Sequence, residues 1–144
     1  MVPVPGYEFL PHMTDAYIQA TGSTFEEALG NAGKALFDTM CDLNSIFPLN
    51  VETVEVTGAD EGALLYNWLE SLLLKFEIEH KVYSKFEVAL TKAPADNLQI
   101  KSKVYGETYD KRKHGAKVEV KAVTYHKMEI KRNGVTILRF ILDL

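Results

Sequence analysis

Residues 117–144, KVEVKAVTYHKMEIKRNGVTILRFILDL, carry the pattern that decides the fold class. Val118, Val120, Ala122, Thr124, His126, Met128 and Ile130 alternate with Lys117, Glu119, Lys121, Tyr125, Lys127 and Glu129. Successive side chains of a strand point to opposite faces, so this alternation predicts one long half-buried strand with His126 on its apolar face. Asn133-Gly134 predicts a type I′ hairpin turn. Val135 to Leu144 then predicts a strand returning across it, with Leu138, Phe140 and Leu142 on one face and Asp143 on the other.

Working backwards, Val82, Phe86, Val88 and Leu90 predict a strand, and Leu98, Ile100 and Val104 another, joined by a turn over Pro94 to Asn97. A connection that short cannot hold a crossover helix, so the strands are expected to be antiparallel. Ahead of them come two helical patterns. Phe25, Ala28, Leu29, Ala32, Leu36 and Met40 follow helical spacing, opened by a Ser23–Glu26 capping box and ending near Cys41-Asp42. Gly30 and Gly33 within it are expected to serve close packing. Asp60 predicts the N-cap of a second helix. Leu64, Leu65, Trp68, Leu69, Leu72, Leu73 and Phe76 give that helix an apolar face wide enough to need more than one neighbour. Val54 and Val56 predict a strand between the helices, Tyr7 to Leu10 a short first strand, and Ala16, Ile18 and Ala20 a second beyond Pro11. The expected fold is α+β, a mostly antiparallel β-sheet with two main helices packed on it, in one domain over residues 1–144.

Composition narrows the function classes. The 144 residues are 47% apolar and 25% charged, with a net charge of −4. That balance suits a globular core and gives no broad attraction to nucleic acid or an anionic membrane. Cys41 is the single cysteine, so no internal disulfide or cysteine-based zinc site forms, and a reducing compartment is expected. No apolar run approaches ~18 residues, and Met1 to Tyr7 lacks a signal-peptide pattern, so a cytoplasmic protein is expected. Glycine-rich phosphate loops, nucleophile elbows, His-Glu-x-x-His and Cys-x-x-Cys are all missing, which disfavours an independent enzyme.

Three places hold chemistry. His12 and Asp15 lie just before the second strand, Asp15 on the face opposite the apolar set. Were that strand to neighbour the last one, Asp15, Asp143 and the Leu144 carboxylate would converge as a hard-oxygen cluster suited to Ca²⁺ or Mg²⁺. Lys111, Arg112, Lys113 and His114 form a basic loop on an acidic chain. Lys121 and Tyr125 share a strand face, with His126 expected to be partly buried.

These residues together resemble the archease family. The resemblance rests on Pro11-His12-Met13-Thr14-Asp15, the helix around Ala35-Leu36-Phe37-Asp38, Leu64 to Phe76, Phe86, Gly106-Glu107, Lys113-His114, Lys121 to His126, and terminal Ile141-Leu142-Asp143-Leu144. Met13 departs from the family's usual His-Thr-Ala-Asp, while Asp15 is kept. The resemblance implies a cytosolic accessory protein of the RtcB-type RNA ligase, which joins RNA ends in tRNA splicing and repair with GTP and Mn²⁺. Such proteins promote the ligase–guanylate intermediate, sustain multiple turnover and broaden nucleotide use. It also implies a divalent cation, calcium first with Mg²⁺ or Mn²⁺ as alternatives, at Asp15, Asp143 and Leu144. RNA would be met through the ligase; charge, rather than the resemblance, nominates Lys113, His114 and Lys121, with His12, as partner-facing residues. A direct RNA-binding protein, a chaperone-like module and a stand-alone metal hydrolase are the competing classes.

Overall fold

The computed structural model describes residues 4–12 and 14–144; the departure noted at Met13 lies outside them. The elements in order are β1 (Gly6–Leu10), β2 (Ala16–Gly22), α1 (Phe25–Met40), β3 (Asn50–Gly58), α2 (Glu61–Glu79), β4 (Lys81–Lys92), β5 (Leu98–Thr108), α3 (Lys111–His114), β6 (Ala122–Val123), β7 (Glu129–Asn133) and β8 (Val135–Asp143). The fold is α+β, and its strands form two antiparallel sheets. One runs β1-β2-β8-β6, with β7 also paired to β8; the other runs β3-β5-β4. The two helices lie between them. α1 packs on β1, β2 and β8 of the first sheet and β4 of the second, and α2 reaches strands of both. Burial on two sides is why α2 needs so wide an apolar face, with Leu64, Leu65, Trp68, Leu69 and Leu72 fully buried. Trp68 Nε1 donates to Leu29 O of α1 at 2.8 Å, so the buried indole N–H is satisfied and ties the helices together. A Cβ on Gly33 would stand 3.0 Å from the Phe86 ring, the close packing expected of that glycine.

Several local expectations are corrected. α1 is capped one residue later than expected: Thr24 Oγ1 accepts from Glu27 N at 3.1 Å, and the Glu27 carboxylate accepts from Ser23 N at 3.0 Å. The Thr-x-x-Glu spacing overlaps the Ser-x-x-Glu spacing, and residue types alone cannot rank them. The strand expected over 118–130 is broken into a strap, β6, a turn and the start of β7. Residues 117–120 form a strap along the end of α1, where Lys117 N donates to Met40 O and Val118 N to Thr39 O. β6 follows, then a turn over Tyr125–Met128 closed by Met128 N on Tyr125 O at 3.1 Å, with Lys127 at φ 56°. Val120 and Val123 are both buried although of opposite parity. The turn places His126 in solvent, not on an apolar face. At Asn133-Gly134 only the glycine has positive φ, 80°, whereas a type I′ turn needs it at both central positions.

Candidate functional site

The antiparallel pairing of β2 with β8 builds the first candidate site. The ladder ends at Ala16 opposite Leu142; Asp15, in the bend just ahead of β2, and Asp143, the last residue of β8, are the next residues beyond that pair. Asp143 has the parity of Ile141 in β8, opposite to that of Phe140 and Leu142. β6 brings in the third strand: Ala122 pairs with Asp143, and Lys121 N donates to Asp143 O at 2.7 Å. Lys121, Asp143 and Leu144 are thereby neighbours at one sheet end. His12 Nδ1 lies 3.8 Å from Asp15 Oδ2, and its ring meets the edge of Tyr17 at 6.1 Å between centroids. Lys127 lies over the other part of this rim, 5.7 Å from the Tyr17 ring centre.

The arrangement leaves two acidic residues next to the same end of the β2–β8 ladder. Among the described residues no Lys, Arg or His stands within ion-pair distance of Asp143. No group of three or more His, Cys, Asp and Glu side chains is placed to hold a metal among the described residues. The donors are hard oxygens, the type that Ca²⁺, Mg²⁺ and Mn²⁺ take.

Lys113 and His114 belong to a different cluster. His114 is 1% exposed and stacks on Tyr109. Its Nδ1 accepts from Asp110 N at 2.9 Å, which leaves the ring proton on Nε2, donated to Glu107 Oε2 at 2.9 Å. Glu107 also takes Lys113 Nζ at 2.7 Å and the N–H of Phe47 at 2.8 Å, and Lys113 lies over the Phe47 ring at 3.7 Å. Burial pushes the Glu107 carboxyl up, but the Lys113, His114 and Phe47 hydrogen bonds outweigh it and hold the group at about 2. His114 is therefore a buried support for the 107–115 loop. Glu107 was not singled out from sequence as its partner; the signal was an acid six and seven residues ahead of Lys113 and His114.

A pH prediction follows from Glu107. Its folded value lies below the ordinary 4.5, so its stabilisation is complete above that value and lost as pH falls towards about 2. With solvent screening allowed for, the loss is expected to be about 1–2 kcal/mol. Urea unfolding of wild type and Glu107→Gln across that window checks it: the variant should start less stable and lack this part of the acid dependence.

Asp38 was likewise read only as part of a helix. Its carboxylate accepts from Tyr7 O–H and Lys117 Nζ, each at 2.9 Å, fastening β1 and the 117–120 strap to the end of α1. Burial opposes ionisation of Asp38, yet the Lys117 and Tyr7 hydrogen bonds lower it below the usual range. Cys41 is fully buried, and burial pushes its thiol up to about 11, as befits an inert core residue. No helix among the described residues is long and apolar enough to cross a membrane.

Comparison with known proteins supplies the family. The model described as the Archease protein family (MTH1598/TM1083) matches residues 7–144. The chain is 38% identical over 139 residues to the protein archease of Sulfurisphaera tokodaii, covering 96% of this chain and 98% of that one. It is 41% identical over 126 residues to that of Pyrococcus abyssi, covering 88% of each. The solution structure of Methanobacterium thermoautotrophicum protein 1598 superposes with a TM-score of 0.84 at 37% identity, covering 96% of this chain and 99% of that one.

Proposed function

The chain belongs to the archease family, and on that footing we propose that it is a cytoplasmic accessory protein of an RtcB-type RNA ligase rather than an enzyme in its own right. It promotes formation of the ligase–guanylate intermediate and sustains turnover in tRNA splicing and RNA repair, meeting RNA through the ligase. The observation that supports this reading is the β2–β8 register, whose last pair, Ala16 with Leu142, leaves Asp15 and Asp143 next in line at one end of the ladder.

Asp15, Asp143 and the Leu144 carboxylate would hold a divalent cation, calcium first, with Mg²⁺ or Mn²⁺ as alternatives. When bound, such an ion supplies concentrated positive charge to phosphate oxygens. The chain's own residues orient that site. The β6–β8 pairing holds Lys121 at the same sheet end, where its ammonium can meet a phosphate of the ligase's nucleotide or of RNA. His12 flanks Asp15 and lends a second donor at the rim. Lys113, paired with Glu107, contributes to a partner surface only from the separate 107–115 loop.

Single-turnover guanylylation of the cognate ligase with GTP and Mn²⁺ tests the reading. The protein should accelerate the step, and Asp15→Ala or Asp143→Ala should remove at least tenfold of that acceleration while circular dichroism stays unchanged. Acceleration kept in both variants discards the acidic site; no acceleration by the wild type discards the ligase partnership.

A further inference from the structure

A cleft that neither Asp15 nor Asp143 lines opens beside the start of α2. It measures about 530 Å³ and is lined by Asp60, Gly62 and Ala63 from the start of α2 and by Tyr125, Met128 and Ile130. Tyr125 is 56% exposed, yet its ring is held: it stacks on Tyr66 of α2 with centroids 4.5 Å apart and planes within 4° of parallel. Tyr66 in turn packs against the core. The turn presenting Tyr125 places Lys127 at φ 56°, a left-handed conformation unfavourable for a residue with a side chain. A large aromatic ring has thus been fixed at a solvent-facing cleft when nothing in the core requires it there.

Gly62 points the same way. Its φ is not in the left-handed region, so no backbone constraint calls for glycine, and alanine is the better helix former. A Cβ there would stand 3.5 Å from Asp60 Oδ1 and 3.7 Å from Met128 Sδ, ordinary contacts that the fold would accept. What the added atom would do is occupy space between Asp60 and Met128, on the floor of the cleft.

We propose that this cleft binds a planar nucleobase, guanine by preference, stacked on Tyr125 over the bare floor at Gly62. Stacking on an aromatic ring accepts any base. The carboxylate selects among them. Asp60 is an acceptor whose Oδ1 already takes the Ala63 N–H at 2.8 Å, leaving its remaining lone pairs for a ligand. Guanine alone among the four RNA bases offers two adjacent N–H donors, N1–H and the 2-amino group, on its Watson–Crick edge. Adenine and cytosine set an acceptor beside their amino group, and uracil flanks its one donor with acceptors. Neither Asp15 nor Asp143 lines the cleft, and its test uses this protein alone, so its outcome does not hang on the ligase reading.

The test is titration of GMP and of AMP into the protein, followed by NMR shifts of residues 60–63 and 125–130. GMP should produce saturable shifts and AMP at least tenfold weaker ones. Tyr125→Ala should weaken GMP about tenfold or more, the loss of one base–aromatic stack. Gly62→Ala should melt no lower than wild type and still lose binding about tenfold, which separates a filled cleft from a damaged fold. Asp60→Asn keeps an N-cap oxygen and should abolish the preference for GMP over AMP. A guanine-containing RNA trinucleotide that binds more tightly than GMP identifies the source as an RNA strand; equal binding identifies a free nucleotide. The proposal is overturned if AMP binds as tightly as GMP. It is equally overturned if Tyr125→Ala and Gly62→Ala leave GMP binding unchanged, or if no saturable shift occurs by ~10 mM.

Discussion

Asparagine at Asp15 or Asp143 is expected to abolish calcium-induced stabilisation while leaving the metal-free protein as stable as wild type, or more stable. In the proposed site Asp15 and Asp143, the residues next beyond the Ala16–Leu142 pair, stand close enough to share a cation. Without a cation they repel, so converting either to an amide relieves a like-charge contact. With a cation the same change removes a formal charge from the ligand set, and affinity for a hard divalent ion falls steeply. Calcium at one hundred times its dissociation constant would stabilise wild type by about 2.7 kcal/mol. For a chain of 144 residues that is roughly 5–10 °C in melting temperature. Melting curves of wild type, Asp15→Asn and Asp143→Asn, each in calcium and in chelator, decide the matter. The opposite signs expected in the two conditions distinguish a binding site from a structural carboxylate, and equal calcium shifts in all three proteins would remove the site.

Gly106→Ala is expected to be the most damaging single-atom addition in the chain. A Cβ on Gly106 would stand 1.8 Å from Val82 O and 2.7 Å from Tyr83 Cα, both backbone atoms of the neighbouring strand. That is where the β4–β5 register shifts between Tyr83 and Lys85, and the irregularity brings the two backbones together. No side chain can rotate away, so the strands must separate, at a cost of about 3 kcal/mol or more. The neighbouring Glu107 would be displaced with them, loosening the buried His114 cluster. Urea unfolding should show a midpoint lowered by more than one molar at a typical slope of roughly 1–3 kcal/mol/M. Gly62→Ala is the matched control: the same atom is added where the nearest contacts are ordinary. A small shift for Gly106→Ala would mean that the bulge relaxes more readily than its backbone contacts imply.

Much of this was legible in the residues themselves. The apolar periodicity of 25–40 and 64–76 located both helices, with Cys41 and Asp60 at the ends where they were expected. The alternation of 135–142 set Leu138, Phe140 and Leu142 on the buried face and Asp143 outside it. Other readings went wrong for identifiable reasons. Alternation continues through a short turn as readily as along a strand, so 118–130 reads as continuous in sequence although the chain turns with Lys127 in the left-handed region. Overlapping caps differ by one residue and are resolved only by which hydrogen bonds form.

Hydrophobic pattern, turn residues and charge order act over short stretches of chain, and they were enough to determine an antiparallel α+β protein and to nominate Asp15 and Asp143. That there are two sheets with the helices between them is a tertiary result, because the wide face of α2 states only that it has several neighbours and not which. The pairing of Ala16 with Leu142, from opposite ends of the chain, depends on which strands meet, and no local rule names the partner of β2. The same holds for Glu107 around His114, Asp38 between Tyr7 and Lys117, and Tyr66 beneath Tyr125: each is a contact between segments whose own patterns are indifferent to it.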